Sequence, residues 1–143
     1  MSSSVFWRRH IYPVQLCSIF FSALAQALSE SSSGAGVATA EDWSRAVSAA
    51  REQLYTYTRA RPSSRTLVDP LAAFADAFSD SSSDLGNAVR QAAEAAEATR
   101  DVEARVGRSA YLEGGLLKQE RVPDPGAWGV KVILEALAGA NSV

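Results

Sequence analysis

Apolar positions along the chain recur at helical spacing in five places, and no segment shows the period-two alternation of a half-buried strand. The first predicted helix covers roughly Val14 to Leu28, with Ile19, Phe20, Phe21, Leu24 and Leu28 apolar, and Pro13 suits its first turn. Ser29 to Gly36 reads as a Ser/Gly linker. The second helix covers Glu41 to Ala60, where Trp43, Val47, Ala50, Leu54 and Tyr57 form one stripe. Glu41 and Asp42 sit in its first turn and Arg59 and Arg61 at its end, both suited to the helix dipole, and Pro62 breaks it. The third covers Thr66 to Phe78, with Leu67, Leu71, Phe74 and Phe78 on one face, Thr66 as N-cap and Pro70 near the first turn. The fourth covers Asp84 to Val106, and its buried candidates are small: Ala88, Ala92, Ala95, Ala96, Ala98 and Thr99. On it Glu94 opposes Arg90 at i, i+4 and Glu97 pairs with Arg100 at i, i+3. A long loop from Gly107 to Gly126 precedes a last helix, Ala127 to Ala138, carrying Trp128, Val130, Ile133, Leu134 and Leu137, with Gly139 as its stop.

Composition narrows what such a chain can do. Its 143 residues fit one domain, and 26 alanines favour helix. Fourteen basic against sixteen acidic residues give a net charge of −2, which excludes nucleic-acid binding through bulk positive charge. A single cysteine, Cys17, excludes an internal disulfide framework and a Cys-rich zinc module. A single histidine, His10, argues against a Ser-His-Asp or Cys-His site. Cys17 reads as a small buried apolar residue, and Trp43 and Trp128 as core or interhelix packing.

The first 28 residues admit two readings. Arg8, Arg9 and His10 precede an apolar run, and Ala23-Leu24-Ala25 or Ala25-Gln26-Ala27 imitates a small-x-small cleavage site, the outline of a secretory signal. The alternative is a core helix with Gln15, Ser18, Ser22 and Gln26 on its polar side. A membrane span is disfavoured, because the run is short and interrupted by Pro13 and those polar residues.

Three ordered motifs carry a resemblance: SRTLVDPL (Ser64 to Leu71), GRSAY (Gly107 to Tyr111) and PDPGA (Pro123 to Ala127). The Ala-rich stretch Ala92 to Thr99 lies between the first two, and SIFFSALAQAL (Ser18 to Leu28) lies upstream. Together they resemble the DhaL domain, the nucleotide-binding domain of dihydroxyacetone (glycerone) kinases, over Cys17 to the C-terminus. That family usually shows a Gly-Asp-Arg/Lys-Thr-Met run, a Gly-Arg-Ala-Ser-Tyr-like turn and a Pro-Asp-Pro-Gly-Ala turn. The resemblance implies an all-α fold, here a partial antiparallel barrel or bundle of about five helices from the later part of an eight-helix barrel. It implies ATP at one end of the barrel, with magnesium held by three aspartates of a Gly-Asp-Gly-Asp-type loop. It also implies a ketone substrate presented by a separate domain or subunit.

The departures matter as much. Nothing here matches the aspartate loop, the Gly-rich loop or the substrate domain, and residues 1–16 read as a divergent segment before a partial domain at 17–143. Ser63 and Ser64 replace the usual Gly-Asp, Thr58 falls where relatives often have a glycine, and Leu67 replaces the methionine. The resemblance gives Asp124, Pro125, Gly126, Arg108, Thr66 and Leu67 as nucleotide-contacting residues, and no catalytic or metal residue within the chain. A tight turn at a helix N-terminus offers free amides, and an arginine can grip a phosphate bidentately. The plain structural alternatives are a turn that only starts the last helix, a solvated Arg108, a capping Thr66 and a core Leu67. Asp69, Asp76 and Asp80 are placed on a solvated face of the third helix rather than at a metal. The expected partners are ATP or ADP and a substrate-binding kinase domain or subunit. The alternatives are a non-catalytic helical module associating through exposed apolar faces, or a small exported protein. A cytoplasmic location follows from the kinase reading.

Overall fold

The computed structural model describes residues 13–31, 36–80, 84–102 and 122–140. Among them are five α-helices and no strand, an all-α chain. The chain divides into two compact units, Met1–Arg59 and Ala60–Val143.

The first unit pairs α1 (Pro13–Ser31) with α2 (Ala40–Tyr57). Leu16 and Phe20, one turn apart on α1, are buried, as are Ala46, Val47, Ala50 and Leu54 on α2. Phe20 meets Phe21 edge to face, with ring centroids 5.4 Å apart. With Phe20 fully buried, one face of α1 packs into the core of its unit. Among the described residues no helix is long and apolar enough to cross a membrane.

Local caps fix the ends of α2. The Thr39 hydroxyl accepts the Asp42 amide at 3.2 Å, and the Asp42 carboxylate accepts the Thr39 amide at 2.9 Å, a reciprocal capping box. The Thr39 backbone amide, and then its hydroxyl, hold the Asp42 carboxyl below its ordinary pKa. At the other end Thr58 is already extended, and its amide closes on the Leu54 carbonyl at 3.3 Å. The helix thus stops at Tyr57, three residues short of the predicted Ala60, with the β-branched Thr58 rather than Pro62 leaving helical geometry first. Conversely α1 runs through Ser31, so Ser29 to Ser31 belong to the helix rather than to the linker.

The second unit is built around α4 (Leu85–Ala98), which packs between α3 (Val68–Asp80) and α5 (Pro125–Ala140). Ala88, Ala92 and Ala96 lie four apart and are fully buried. This stripe of small side chains lets helix axes approach closely, while Leu71, Phe74, Ala75 and Phe78 of α3 and Ala127, Val130 and Leu134 of α5 supply the bulk of the core. Asp84 caps α4 by accepting the Asn87 amide at 3.1 Å. Arg90 and Glu94 pair as the spacing predicts, at 2.9 Å, and so do Glu97 and Arg100.

Several expectations are corrected. The fourth helix does not reach Val106: it passes into a 3-10 turn at Thr99–Asp101, and Val102 is extended. Thr99 turns its hydroxyl back on the Ala96 carbonyl at 2.6 Å, which competes with continued helix. Gly139 lies inside α5 rather than ending it. Trp43 and Trp128 are not core: each is 41% exposed, because both ride at the edge of an amphipathic stripe. Trp128 is held by the Lys131 ammonium 3.9 Å above its ring, itself 3.3 Å from Glu97. Cys17 is half-buried rather than buried, and that burial pushes its thiol pKa up. Of the predicted loop, 107–121 lie outside the described residues.

The α2 cap gives a direct test. Thr39→Ala removes the hydroxyl that satisfies the Asp42 amide, and should cost about 1 kcal/mol. Urea unfolding followed by circular dichroism reads this as a lower midpoint with unchanged slope.

Candidate functional site

The chain before α3 turns on itself at Arg61 to Thr66. The Ser64 amide donates to the Arg61 carbonyl at 3.1 Å, and the Arg61 amide donates to the Ser64 hydroxyl at 3.1 Å. Ser63 and Arg65 both adopt left-handed backbone, with φ of 70° and 57°. Such a conformation costs an L-residue roughly 1 kcal/mol or more and persists only when its surroundings impose it.

Asp69 imposes part of it. Its carboxylate accepts the Ser63 amide closely and the Thr66 amide at 2.8 Å, while the Thr66 hydroxyl accepts the Val68 amide at 3.2 Å. Thr66 therefore caps the helix as expected, although the helix proper starts at Val68. Asp69 is 8% exposed, not on a solvated face, whereas Asp76 and Asp80 are exposed. The correction has a simple cause: a carboxylate in the first turn can serve amides behind it, which draws it inward. Burial raises the Asp69 pKa above its ordinary 3.8; the amides of Thr66, Ser63 and Ser64 oppose the shift, and the negative charge of Asp124 adds to it.

Arg65 imposes the rest, and its role is absent from the sequence reading. It is 1% exposed. One terminal nitrogen donates closely to the Thr99 carbonyl and at 3.5 Å to that of Val102; the other donates to the Val122 carbonyl at 2.6 Å. A guanidinium thus ties the α3 turn to the end of α4 and to the segment entering α5. One signal could have found it: a cation just before a helix N-terminus, where the dipole favours an anion, needs partners of its own.

That segment ends in a second turn. The Asp124 amide donates to the Thr99 hydroxyl at 2.8 Å. The Asp124 carboxylate accepts the Ala127 amide at 3.0 Å, and its carbonyl accepts the Trp128 amide at 2.9 Å. Asp124 is therefore the N-cap of α5 with Pro125 at the first helical position, which moves the helix start from the predicted Ala127 to Pro125. The expected row of free amides is narrowed too. Asp124 itself takes those of Ala127 and Trp128, and the Gly126 amide remains without a partner among the described residues.

Of the six residues predicted from sequence, five are placed. Thr66 and Leu67 flank Arg65 on one side of the tie, and Asp124, Pro125 and Gly126 follow Val122 on the other, so the two turns meet. Leu67 is buried in the core. Arg108 lies outside the described residues. Among the described residues no three His, Cys, Asp or Glu side chains gather as a metal would require.

Comparison with known proteins bears on this end of the unit. The model of the DAK2 domain matches residues 15–139. A dihydroxyacetone kinase of Pichia angusta is 40% identical over 139 residues, covering 89% of this chain and 22% of the relative. One from Komagataella pastoris is 42% identical, over 87% of this chain and 21% of the relative. The human triokinase/FMN cyclase is 36% identical, over 85% and 21%. The chain thus spans about a fifth of the length of these curated relatives.

Two outcomes follow from the α3 turn. Ser63→Gly relieves the left-handed strain and should stabilise the protein by about 1 kcal/mol, read as a higher urea midpoint. Asp69 supplies the second. Its folded pKa lies above the unfolded one, so the folded state holds the proton longer. The stability tied to that proton is full below the unfolded value and is lost as pH rises through the folded value. The stability difference between wild type and Asp69→Asn should therefore shrink as pH rises from about 3 through that window, measured by urea unfolding of both proteins.

Proposed function

The chain belongs to the DAK2-domain family, and we propose on that footing that residues 17–143 are part of the ATP-binding, DhaL-type domain of a dihydroxyacetone (glycerone) kinase. The observation that carries this reading is the meeting, through Arg65, of the Thr66–Leu67 turn and the Asp124–Gly126 turn at one end of the second unit. These are the two described segments in which the resemblance locates nucleotide contacts.

In this proposal the Gly126 amide, at the positive end of α5, donates to a phosphate oxygen. Asp124 and Pro125 shape the turn that presents it. Arg108 adds a planar cation that can hold two phosphate oxygens. Thr66 fixes the start of α3, and Leu67 supports the floor from within the core. Phosphoryl transfer depends on positioning and charge neutralisation, and ATP with magnesium supplies that chemistry in the family. In this proposal the magnesium ligands belong to the family's aspartate loop, which has no counterpart in the sequence of 17–143. The chain's part is nucleotide holding, with the ketone bound by a separate domain or subunit. The proposal includes a cytoplasmic location, with 1–16 as a divergent segment.

One observation favours a second reading, association without catalysis. Trp128, Val132, Ile133 and Leu137 along α5 are 41–51% exposed, an apolar strip unusual for a lone helix face. A concentration-dependent sedimentation coefficient with no nucleotide binding would favour it.

The test of the first reading is titration of the chain with ADP by calorimetry. Saturable binding is expected, with Gly126→Val weakening it at least about tenfold, ~1.4 kcal/mol, while the urea midpoint barely moves. The chain alone, given ATP, magnesium and dihydroxyacetone, is expected to form no phosphorylated product. Absence of saturable ADP binding overturns the proposal.

A further inference from the structure

A buried guanidinium is costly to desolvate unless its donors are met. Arg65 meets that requirement on main-chain carbonyls from two other segments: Thr99 and Val102 at the end of α4, and Val122 ahead of α5. Val122 is two residues before Asp124, so the bond to its carbonyl fixes the backbone that enters the turn. Thr99 is held from both sides, its carbonyl by Arg65 and its hydroxyl by the Asp124 amide. Arg65 therefore reaches the Asp124 turn by two routes, one along the chain and one through Thr99. Its backbone is held in the left-handed region, and its Nε is buried with no partner among the described residues. Neither feature serves stability, and each follows if the guanidinium is placed to serve the carbonyls.

We propose that Arg65 is a positioning residue for nucleotide binding: it sets the Asp124-Pro125-Gly126 turn so that the Gly126 amide faces a phosphate. The proposal rests on the nucleotide reading above. It does not require Arg65 to touch the nucleotide, and its 1% exposure agrees with that. Lysine could reach one carbonyl but cannot present a planar fork to two segments, so it should preserve the fold better than the turn.

The experiment compares Arg65→Lys and Arg65→Met in the full chain with Phe78→Ala, a core variant at the far end of α3. Native-state amide exchange by NMR is read at Ala127 and Trp128, whose amides the Asp124 turn holds, alongside ADP titration. Both Arg65 variants are expected to exchange at these two amides at least about tenfold faster than Phe78→Ala of matched urea midpoint. They are expected to lose at least about tenfold in ADP affinity, with lysine recovering part of it. Should Arg65→Met fail to fold, Arg65→Lys carries the comparison. Exchange that follows the urea midpoint in every variant overturns the proposal, as does a loosened turn with ADP affinity unchanged. A wild-type chain that binds no ADP overturns the nucleotide reading and, with it, the purpose assigned to Arg65. The exchange rates then still show whether Arg65 holds the turn.

Discussion

A positive charge sealed from water must find oxygen, and in the second unit that necessity organises the end that matters. The Arg65 guanidinium is buried and spends its terminal donors on three main-chain carbonyls: that of Thr99, which the Val102 amide also reaches at 3.2 Å, that of the extended Val102, and that of Val122 in the lead-in to α5. Carbonyls past a helix end lack intrahelical partners by construction. One side chain therefore satisfies two structural needs, its own desolvation and the unmet acceptors of two chain segments. Removing it takes away donors from three carbonyls in two segments at once, a cost of more than one hydrogen bond.

Two aspartates complement it at the helix starts. Asp69 gathers amides ahead of α3, and Asp124 gathers amides within the first turn of α5. Asp69 lies at the positive end of the α3 dipole, which favours the charged form, while burial opposes it. At Asp69 burial is the larger effect. Both turns are thus held by hydrogen bonds to buried carboxylates at helix starts, where backbone amides favour anions.

Much of the fold is legible from periodicity. All five helices lie where apolar spacing puts them, and the stripes Val47-Ala50-Leu54 and Ala88-Ala92-Ala96 are buried as read. The ends are less legible, because they depend on single hydrogen bonds: the Thr39 box, the back-bonded Thr99 and the Asp124 cap. Spacing identifies which face is apolar but not how far the cover extends, so Trp43 and Trp128 were misplaced at the margins of their stripes. The site was legible as motifs and not as geometry. Thr66, Asp124 and Gly126 stand out as cap and turn residues, whereas Arg65 looks like an ordinary surface cation. Its importance comes from partners 34 and 57 positions away, which no local pattern reports.

The alanine stripe of α4 has a consequence for how this chain tolerates length change. A helix is a ruler with a rotary scale, advancing about 1.5 Å and turning about 100° per residue. Ala88, Ala92 and Ala96 lock that scale to the neighbouring helices, with Thr99 at its far end. A single inserted or deleted residue between Ala92 and Thr99 leaves two poor options. Either the alanines stay seated and Thr99 swings about 100° away from Arg65 and Asp124, or Thr99 stays and bulkier side chains are driven into the stripe. Substitutions on the outer face of α4 are free of this constraint, but its residue count is not.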